Sequence, residues 1–534
     1  MTRTEAAPRH AGDRHKGDRR AGEGLAGRLP AAGRLPRRPL PVWLIATAVG
    51  LLTTGLRLVG LARSGDLFVD ELIYHELGRT ADAGGFPYTE DGLFFLHPPG
   101  FFYLQAGWLR ILPIDHDLLS EIYAIRVLNS LIAGGTAVLI VVLVARIRSR
   151  TAGAVAGAIF ALDQYCIRQN DRAMLDTETM FWVLAGLLLL VTLTRQPPPR
   201  RTVLRAAGAG LCFGMAVLTK DHSTLITVLP LLAALALGWG PSRRLLTVTL
   251  ATTALPYAVY VTVIASSGHL DAFWAGKTRG VKRLAGVLQE TGFNSPGTPA
   301  LSDRLAEGLP GYTTTYLLLL LTPLALFLLL RRRAPVYRLL TLFHVSAILT
   351  LGYALGLGTL EEQALYLLFV PNLVALAVTF PVPRGPGAAR RVLGALAALA
   401  VAGAVVMPAV VYAQERLRPD DGFARLRAYL AAHVPDGTPI LTADTGETRG
   451  ITYWALRDRY RPTEWVPAEV EGFAGARYVV VPWKVIDEGY ALNDAREVRR
   501  LVADGDLLFS FHGETYGTLA LYRLPPAGGG SDDR

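Results

Sequence analysis

Long apolar blocks recur along this chain, and they constrain its fold more than any other feature. A helix of about 20 residues crosses the roughly 30 Å hydrocarbon core of a bilayer. The chain is 51% hydrophobic and only 18% charged, whereas soluble domains carry about 25% charged residues. We therefore predict an all-α polytopic membrane protein with about eleven transmembrane helices, at residues 41–61, 122–145, 151–167, 178–194, 203–219, 223–239, 245–265, 313–330, 337–357, 363–380 and 392–412.

The loops between these blocks alternate in charge. One set is basic and free of acids, with arginines at Arg146, Arg148, Arg150, Arg243, Arg244, Arg331, Arg332 and Arg333. The other set carries the acids, among them Asp70, Glu71, Asp176, Asp221 and Glu361. Because cytoplasmic loops are enriched in Lys and Arg, we predict a cytoplasmic N-terminus, an extracytoplasmic C-terminus and a place in the cell membrane. The net charge of +10 is then a topology signal, which excludes nucleic acid as a partner.

The ends of the chain differ from the apolar body. Residues 1–39 are rich in Arg, Gly, Ala and Pro, a composition that cannot bury enough surface to fold, and we predict a disordered cytoplasmic tail. Residues 40–412 form the transmembrane module, with a catalytic outside loop at 62–121. We predict a small extracytoplasmic α/β domain at 413–524 and a disordered tail at 525–534. The strand-like runs of the α/β domain are Pro439–Ala443, Arg477–Val481, Leu507–Phe511 and Thr518–Tyr522. Its helix-like runs are Gly422–His433 and Ala495–Ala503.

The first outside loop holds the adjacent carboxylates Asp70 and Glu71 in an apolar frame. Carboxylates at a membrane face are costly and are therefore candidates for function, whereas acids such as Asp82 are better explained as solvated. If this segment is helical, Glu71 and His75 share one face at a spacing of four residues. Further along, His97-Pro98-Pro99-Gly100 and the aromatic run ending at Tyr103 predict a rigid turn before an interfacial helix that borders a groove for a lipid chain.

Three further outside loops carry polar candidates. In the second loop, Arg168 and Arg172 break the rule that outside loops avoid arginine, so they either bind an anion or pair with nearby acids such as Asp171. In the third loop, Lys220 either contacts a phosphate or pairs with Asp221. The acids of the fifth loop, Glu361 and Glu362, either contact a substrate or serve as ordinary partners of a helix N-terminus. The two cysteines, Cys166 and Cys212, read as small core residues with no disulfide.

Three motifs in order resemble the GT-C superfamily of membrane glycosyltransferases. They are Asp70-Glu71 in the first outside loop, the His97-Pro98-Pro99 turn with Tyr103 after it, and Arg172 ahead of Leu175-Asp176. The pattern is nearest to protein O-mannosyltransferases of glycosyltransferase family 39 and to the lipid A aminoarabinose transferase. It covers about residues 40–240.

This resemblance implies a polyprenyl-phosphate-linked sugar donor in contact with membrane lipids, and a protein, glycolipid or cell-wall glycan as acceptor. It implies Asp70 as general base, with Glu71 beside it and Asp176 as the second family acid. The residues predicted to hold the donor phosphate or lipid are His97, Arg168, Arg172, Lys220, His222 and Tyr103. Those predicted to contact the sugar or acceptor are His75, Tyr74, Asp171, Glu361, Glu362 and Tyr366.

The implied reaction is a one-step inverting transfer. A carboxylate takes the proton of an acceptor hydroxyl while that oxygen attacks the anomeric carbon. Because a phosphate monoester leaves instead of a diphosphate, no cofactor is required, although a divalent metal stays an open alternative. The alternative function is a transporter or flippase of a lipid-linked sugar. Transporters usually contain internal repeats and mid-span polar residues, whereas this chain shows no repeat and places its ionisable residues at loop mouths. A structural or polymer-binding membrane protein is a third and weaker hypothesis.

Overall fold

The computed structural model describes residues 40–194, 199–288, 298–380, 387–446, 449–465 and 476–525. The two tails predicted to be disordered, 1–39 and 525–534, lie outside these residues, except for residue 525. The helices between residues 42 and 266 are α1 (Val42–Leu58), α2 (Val69–Asp82), α3 (Gly100–Ile111), α4 (Leu118–Ile147), α5 (Arg150–Leu162), α6 (Gln164–Asn170), α7 (Leu175–Thr192), α8 (Pro199–Thr219), α9 (Ser223–Leu237) and α10 (Arg243–Ser266). They are followed by α11 (Leu270–Leu284), α12 (Leu301–Leu320), α13 (Thr322–Leu330), α14 (Pro335–Leu357), α15 (Ala364–Thr379) and α16 (Ala388–Leu417).

The apolar blocks form helices at the predicted positions. Within the described residues, seven helices are long and apolar enough to cross a membrane, and four shorter apolar helices, α1, α5, α9 and α15, accompany them. The predicted block at 313–330 is divided between α12, which ends at Leu320, and α13, which begins at Thr322. The fold class is thus confirmed, whereas the number of spans and the orientation of the termini stay predictions.

The first outside loop is a folded layer on one end of the helix bundle. It contains α2, a short antiparallel pair of strands β1 (Tyr88–Thr89) and β2 (Gly92–Leu93), and α3. Helix α2 begins after Phe68, which is extended, and the Phe68 N–H donates to Glu71 Oε2 at 3.2 Å. A glutamate at this third helical position satisfies a free N–H of the first turn, so the sequence itself fixes where α2 starts.

The C-terminal part of the chain is a small α/β layer, as the sequence predicts. Its elements are α17 (Gly422–His433), β3 (Pro439–Thr442), α18 (Ile451–Leu456), β4 (Arg461–Glu464), β5 (Tyr478–Pro482), α19 (Trp483–Asp487), α20 (Ala495–Val502), β6 (Asp506–Gly513) and β7 (Gly517–Arg523). The sheet order is β4-β3-β5-β7-β6, with parallel pairs around β3 and antiparallel pairs around β7. Strand β4 escaped prediction because Arg-Pro-Thr-Glu is polar, which is tolerated in an edge strand.

One hydrophobic core joins the C-terminal layer to the first outside loop. Leu67 and Leu72 of the loop pack in the same cluster as Phe423, Leu430 and Tyr516 of the C-terminal layer. The two segments therefore lie on the same end of the helix bundle, in agreement with the alternation of loop charges.

Candidate active site

The neighbouring carboxylates Asp70 and Glu71 have different surroundings because successive helical residues point about 100° apart. Glu71 is fully buried, and its two oxygens lie 2.7 Å from Nε and Nη2 of Arg126 on α4. The Ala173 N–H also donates to Glu71 Oε1 at 2.9 Å. With both oxygens occupied, Glu71 ties α2 to α4 and to the segment before α7. This geometry favours a structural role over the predicted catalytic one.

Asp70 faces a different group of charges. The residue as a whole is partly exposed, and its carboxyl accepts no hydrogen bond and makes no ion pair with any residue of the described chain. Burial raises the pKa of Asp70 from 3.8 to about 6, and the negative charge of Glu361 adds to this effect, while Lys220 and Arg283 oppose it. A carboxylate with a pKa close to neutral and a free oxygen has the properties of a general base.

The second acid, Asp176, stands on the first turn of α7 in an ion pair with Lys220. Lys220 Nζ lies 2.7 Å from Asp176 Oδ1, and both side chains are buried. Asp176 Oδ2 has no hydrogen-bond partner among the described residues. The alternative pairing of Lys220 with Asp221 is not observed, because Asp221 pairs with Lys277 instead. The predicted acid and the predicted cation thus meet, and one carboxylate oxygen stays available to a ligand.

Helix α11 supplies two cations that the sequence prediction missed. Lys277 Nζ pairs with Asp221 and donates to the carbonyl of Leu96 at 3.2 Å. Arg283 Nη2 lies 3.4 Å from Glu361 Oε1. The missed signal was a basic cluster, 277–283, inside a loop that the positive-inside rule places outside, which is the same anomaly that singled out Arg168 and Arg172.

The His97 turn packs tightly against the end of α8. A Cβ atom on Gly100 would lie 2.8 Å from the carbonyl oxygen of Leu218, so only glycine permits this approach. The His97 ring lies edge-on to Tyr74, with the ring centres 6.0 Å apart. Burial, together with nearby cations led by Lys220, holds the pKa of His97 well below its ordinary value. His97 is therefore neutral in this site and can donate or accept a single hydrogen bond at each ring nitrogen.

His222 behaves in the same way. Burial and the positive charge of Lys220 lower its pKa to about 4. Because burial and the nearby cations keep both histidines neutral, the positive charge available to an anionic ligand resides on lysine and arginine.

A second charged group lies beside the first. Arg168 Nε is 3.1 Å from Glu362 Oε1, which answers the open question for this arginine in favour of a salt bridge. Burial would raise the pKa of Glu362, but Arg168 and Arg172 lower it below its ordinary value. The Arg172 guanidinium stacks over the Phe68 ring at 4.5 Å and forms no ion pair with an acid within the described ranges. Arg172 thus remains a candidate anion ligand.

Two predicted substrate contacts, His75 and Asp171, are placed elsewhere by the fold. His75 Nε2 lies 2.6 Å from Glu121 Oε2 on α4, so the shared face of Glu71 and His75 turns toward α4 and away from Asp70. Asp171 pairs with Arg416 of α16. Both residues serve packing between helices in this structure.

Tyr366 and Tyr103 are also separated from the group around Asp70. Tyr366 is fully buried in the helix core, where its hydroxyl accepts a hydrogen bond from Asn170 Nδ2 at 3.1 Å. Tyr103 is 45% exposed on α3, and its hydroxyl donates to the carbonyl of Gly85 at 3.0 Å. The exposed position of Tyr103 fits its predicted place on a lipid-facing wall better than a contact with the reacting atoms.

The C-terminal layer holds the start of the helix that carries Asp70. Tyr516 donates its hydroxyl proton to the carbonyl of Leu67 at 2.6 Å, and Tyr516 itself is buried. The Phe423 N–H donates to the Asp66 carboxylate at 3.2 Å. These bonds fix Asp66 and Leu67 just before α2, so the layer acts as a clamp on the position of Asp70.

The arrangement does not build an obvious metal site. No group of three or more His, Cys, Asp or Glu side chains is placed to hold a metal ion among the residues described. Asp176 and Glu361 are each paired with a cation. Independence from metal stays a prediction that needs an experiment.

Comparison with known proteins places this geometry in context. The family described as dolichyl-phosphate-mannose-protein mannosyltransferase matches residues 111–276, which include Asp176, Lys220 and the first turns of α11. None of the curated proteins is significantly similar to this chain in sequence.

Two solved structures share the architecture over most of the chain. The oligosaccharyltransferase of Archaeoglobus fulgidus in the apo form has a TM-score of 0.59 at 13% identity, and the match covers 91% of this chain and 74% of that one. ArnT from Cupriavidus metallidurans bound to undecaprenyl phosphate has a TM-score of 0.58 at 13% identity, and the match covers 91% of this chain and 98% of ArnT. The chain has the GT-C fold. The resemblance read from the three motifs is therefore confirmed.

The GT-C fold makes this chain a multi-pass membrane protein. The matching family and the structural relatives are glycosyltransferases. The GT-C resemblance also agrees with the convergence of Asp70, Tyr74, His97, Asp176, Lys220, His222 and Glu361 at one end of the helices.

Proposed function

We propose that this protein is an integral membrane glycosyltransferase that moves a sugar from a polyprenyl-phosphate donor to a hydroxyl acceptor. The observation that carries the proposal is the state of Asp70. It has no hydrogen bond or ion pair with the described chain, and the charges that shift its pKa belong to Lys220, Arg283, Glu361 and Asp176. A free carboxylate can take the proton of the acceptor hydroxyl, and the cations beside it can stabilise the leaving phosphate.

The reaction balances without a further reactant. Asp70 accepts the proton of the acceptor hydroxyl, and the hydroxyl oxygen forms a bond to the anomeric carbon of the donor. The bond between that carbon and the phosphate oxygen breaks, and the polyprenyl phosphate leaves with one additional negative charge. Attack opposite the leaving group inverts the anomeric configuration.

The cations around Asp70 suit the leaving group. Lysine and arginine side chains fixed in a protein stabilise charge that develops in a transition state. Lys220, Arg283 and Arg172 are the candidates, since His97 and His222 are neutral. Support from the relatives comes from ArnT, whose structure contains undecaprenyl phosphate, and from the matched family, which is described by dolichyl-phosphate-mannose.

The proposed site faces the extracytoplasmic side of the cell membrane, where a protein, a glycolipid or a cell-wall glycan could offer the acceptor hydroxyl. This side is supported by the loop charges and by the packing of the C-terminal layer on the loop of Asp70. A cysteine at the exposed position Ala503 should react with a membrane-impermeant maleimide in intact cells, whereas one at the exposed position Ala334 should not. If only Ala334→Cys were labelled, the predicted orientation would be wrong.

The decisive experiment compares Asp70→Asn with Asp82→Asn. Asp82 is an exposed carboxylate at the far end of the same helix, where it pairs with Arg110, so it is a matched control. Membranes containing each variant receive a panel of polyprenyl-phosphate sugars, and released polyprenyl phosphate is measured together with transferred sugar. Loss of a general base typically costs about 10²–10⁴-fold in rate, which we expect for Asp70→Asn only.

Two outcomes would count against the proposal. Full activity of Asp70→Asn would remove the carboxylate from the mechanism. Movement of a lipid-linked sugar across the membrane without any new glycosidic bond would favour the transporter or flippase hypothesis instead.

A further inference from the structure

A cleft lies on the opposite side of α2 from Asp70. It has a volume of about 820 Å³ and is lined by α2, the β1–β2 turn, the start of α4 and the residues before it, α17 and residues 454–459. Pockets of roughly 300–1,000 Å³ hold ligands of the size of a drug or a short oligomer. His75 and Arg79 line this cleft from α2, and they lie about 100–180° around the helix axis from Asp70.

The charges of this cleft cancel one another. Arg457 pairs with both Glu76 and Glu90 at 2.6 Å, and Arg427 pairs with Asp458 at 2.7 Å. Arg79, which is half exposed, lies 3.8 Å from the buried carboxylate of Glu121. An anionic or cationic ligand would therefore compete with the charges already present. A neutral ligand would not, and guanidinium and carboxylate pairs offer it donors and acceptors side by side.

One wall of the cleft is shaped for close approach. Ala424, Ala428 and Ala431 line it from α17, and their spacing of four and three residues places them on one face of the helix. Trp454 also lines the cleft, and only 6% of this residue is exposed. The indole N–H of Trp454 has no hydrogen-bond partner in the part of the chain that is described.

The rim of the cleft adds an open imidazole. The His116 side chain is 68% exposed, and its Nδ1 lies 2.9 Å from Glu121 Oε1, which leaves Nε2 for a ligand. No strand of the C-terminal sheet lines the cleft, so an extended peptide could not add to a sheet edge there. Polar planar side chains, an indole N–H and an alanine wall together suit a polyhydroxylated, uncharged molecule.

We propose that this cleft is a binding site for a neutral oligosaccharide, separate from the site around Asp70. Sugar hydroxyls would bond to the paired guanidinium and carboxylate groups and to His116, and one sugar face would lie on the alanine wall. The proposal concerns binding alone and does not depend on the transfer reaction.

The test uses two tryptophan substitutions in the C-terminal layer. Ala428→Trp fills the cleft, whereas Ala503→Trp adds the same side chain at an exposed position after α20, outside the cleft lining. The full chain in detergent, without donor, is titrated with labelled neutral oligosaccharides of increasing length, an acidic oligosaccharide and a serine-rich peptide. Thermal unfolding of each variant checks that the fold is retained.

We expect the wild type, Ala503→Trp and Asp70→Asn to bind neutral oligosaccharides equally, and Ala428→Trp to bind them at least about ten-fold more weakly. Equal binding by Ala428→Trp and Ala503→Trp would overturn the proposal. Binding of only the acidic oligosaccharide or only the peptide would also overturn it, as would no binding at all. Since Asp70→Asn lacks the proposed base, its normal binding alongside failed transfer would separate the two functions.

Discussion

The acid limb of the pH–rate profile should report the pKa of Asp70, and Glu361 should control where that limb lies. Burial is the largest cause of the raised pKa of Asp70, and the negative charge of Glu361 is the next. Substituting Glu361→Gln removes this charge and also releases Arg283 from its 3.4 Å contact. Both changes favour the ionised form of Asp70, so its pKa should fall.

The magnitude follows from the pKa of about 6. A general base must be unprotonated, so the rate is full above this pKa and is lost as pH falls through it. At pH 5 only about one tenth of Asp70 would be ionised, and the wild-type rate should be about ten-fold below its plateau. In Glu361→Gln the limb should move to lower pH, yet stay above the ordinary value of 3.8 because burial remains.

The measurement is the release of polyprenyl phosphate as a function of pH, with donor well above saturation. Glu362→Gln is the matched control, since Glu362 pairs with Arg168 and is not among the groups that shift the pKa of Asp70. We expect its acid limb to coincide with that of the wild type. An unmoved limb in Glu361→Gln, or one displaced to higher pH, would refute the assignment of the limb to Asp70.

Three further outcomes are expected. Arg126→Met should leave the buried carboxylate of Glu71 unpaired and cost about 3–5 kcal/mol of stability, seen as a lower unfolding temperature, whereas Arg79→Met at a half-exposed site should change it little. Tyr516→Phe loses the hydrogen bond to the Leu67 carbonyl, worth about 0.5–1.5 kcal/mol. Because this bond positions Asp70, kcat should fall while KM for the donor stays the same, and an unchanged kcat would argue against the clamp. Transfer should survive exhaustive chelation with EDTA, and complete loss of activity restored by a divalent cation would show that a metal is essential.

The contrast between Asp70 and Glu71 shows how far the sequence alone could reach. The sequence places both acids in one loop at the membrane face and predicts a helix there. Which of the two is free depends on Arg126, which is 55 residues away along the chain and takes both oxygens of Glu71. No local pattern carries that information, because it arises from the rotation of α2 relative to α4.

The partners of Lys220 illustrate the same limit. Its sequence neighbour Asp221 is the obvious candidate for an ion pair, but the packing of α8 against α7 brings it to Asp176 instead. Asp221 is left for Lys277, 56 residues further along. A prediction from sequence could name the charged residues but not their pairing.

The sequence by itself determined the apolar helices, every strand of the C-terminal layer except β4, and the family resemblance. Each of these depends on a local quantity: the length of an apolar block against the thickness of a bilayer, alternation along a strand, or a short motif. Only the tertiary structure decided that the C-terminal layer clamps the start of α2, that α11 brings Lys277 and Arg283 into the site, and that Asp70 has no ion-pair partner among the described residues. Those features follow from how distant segments pack, and packing is settled by the whole chain at once.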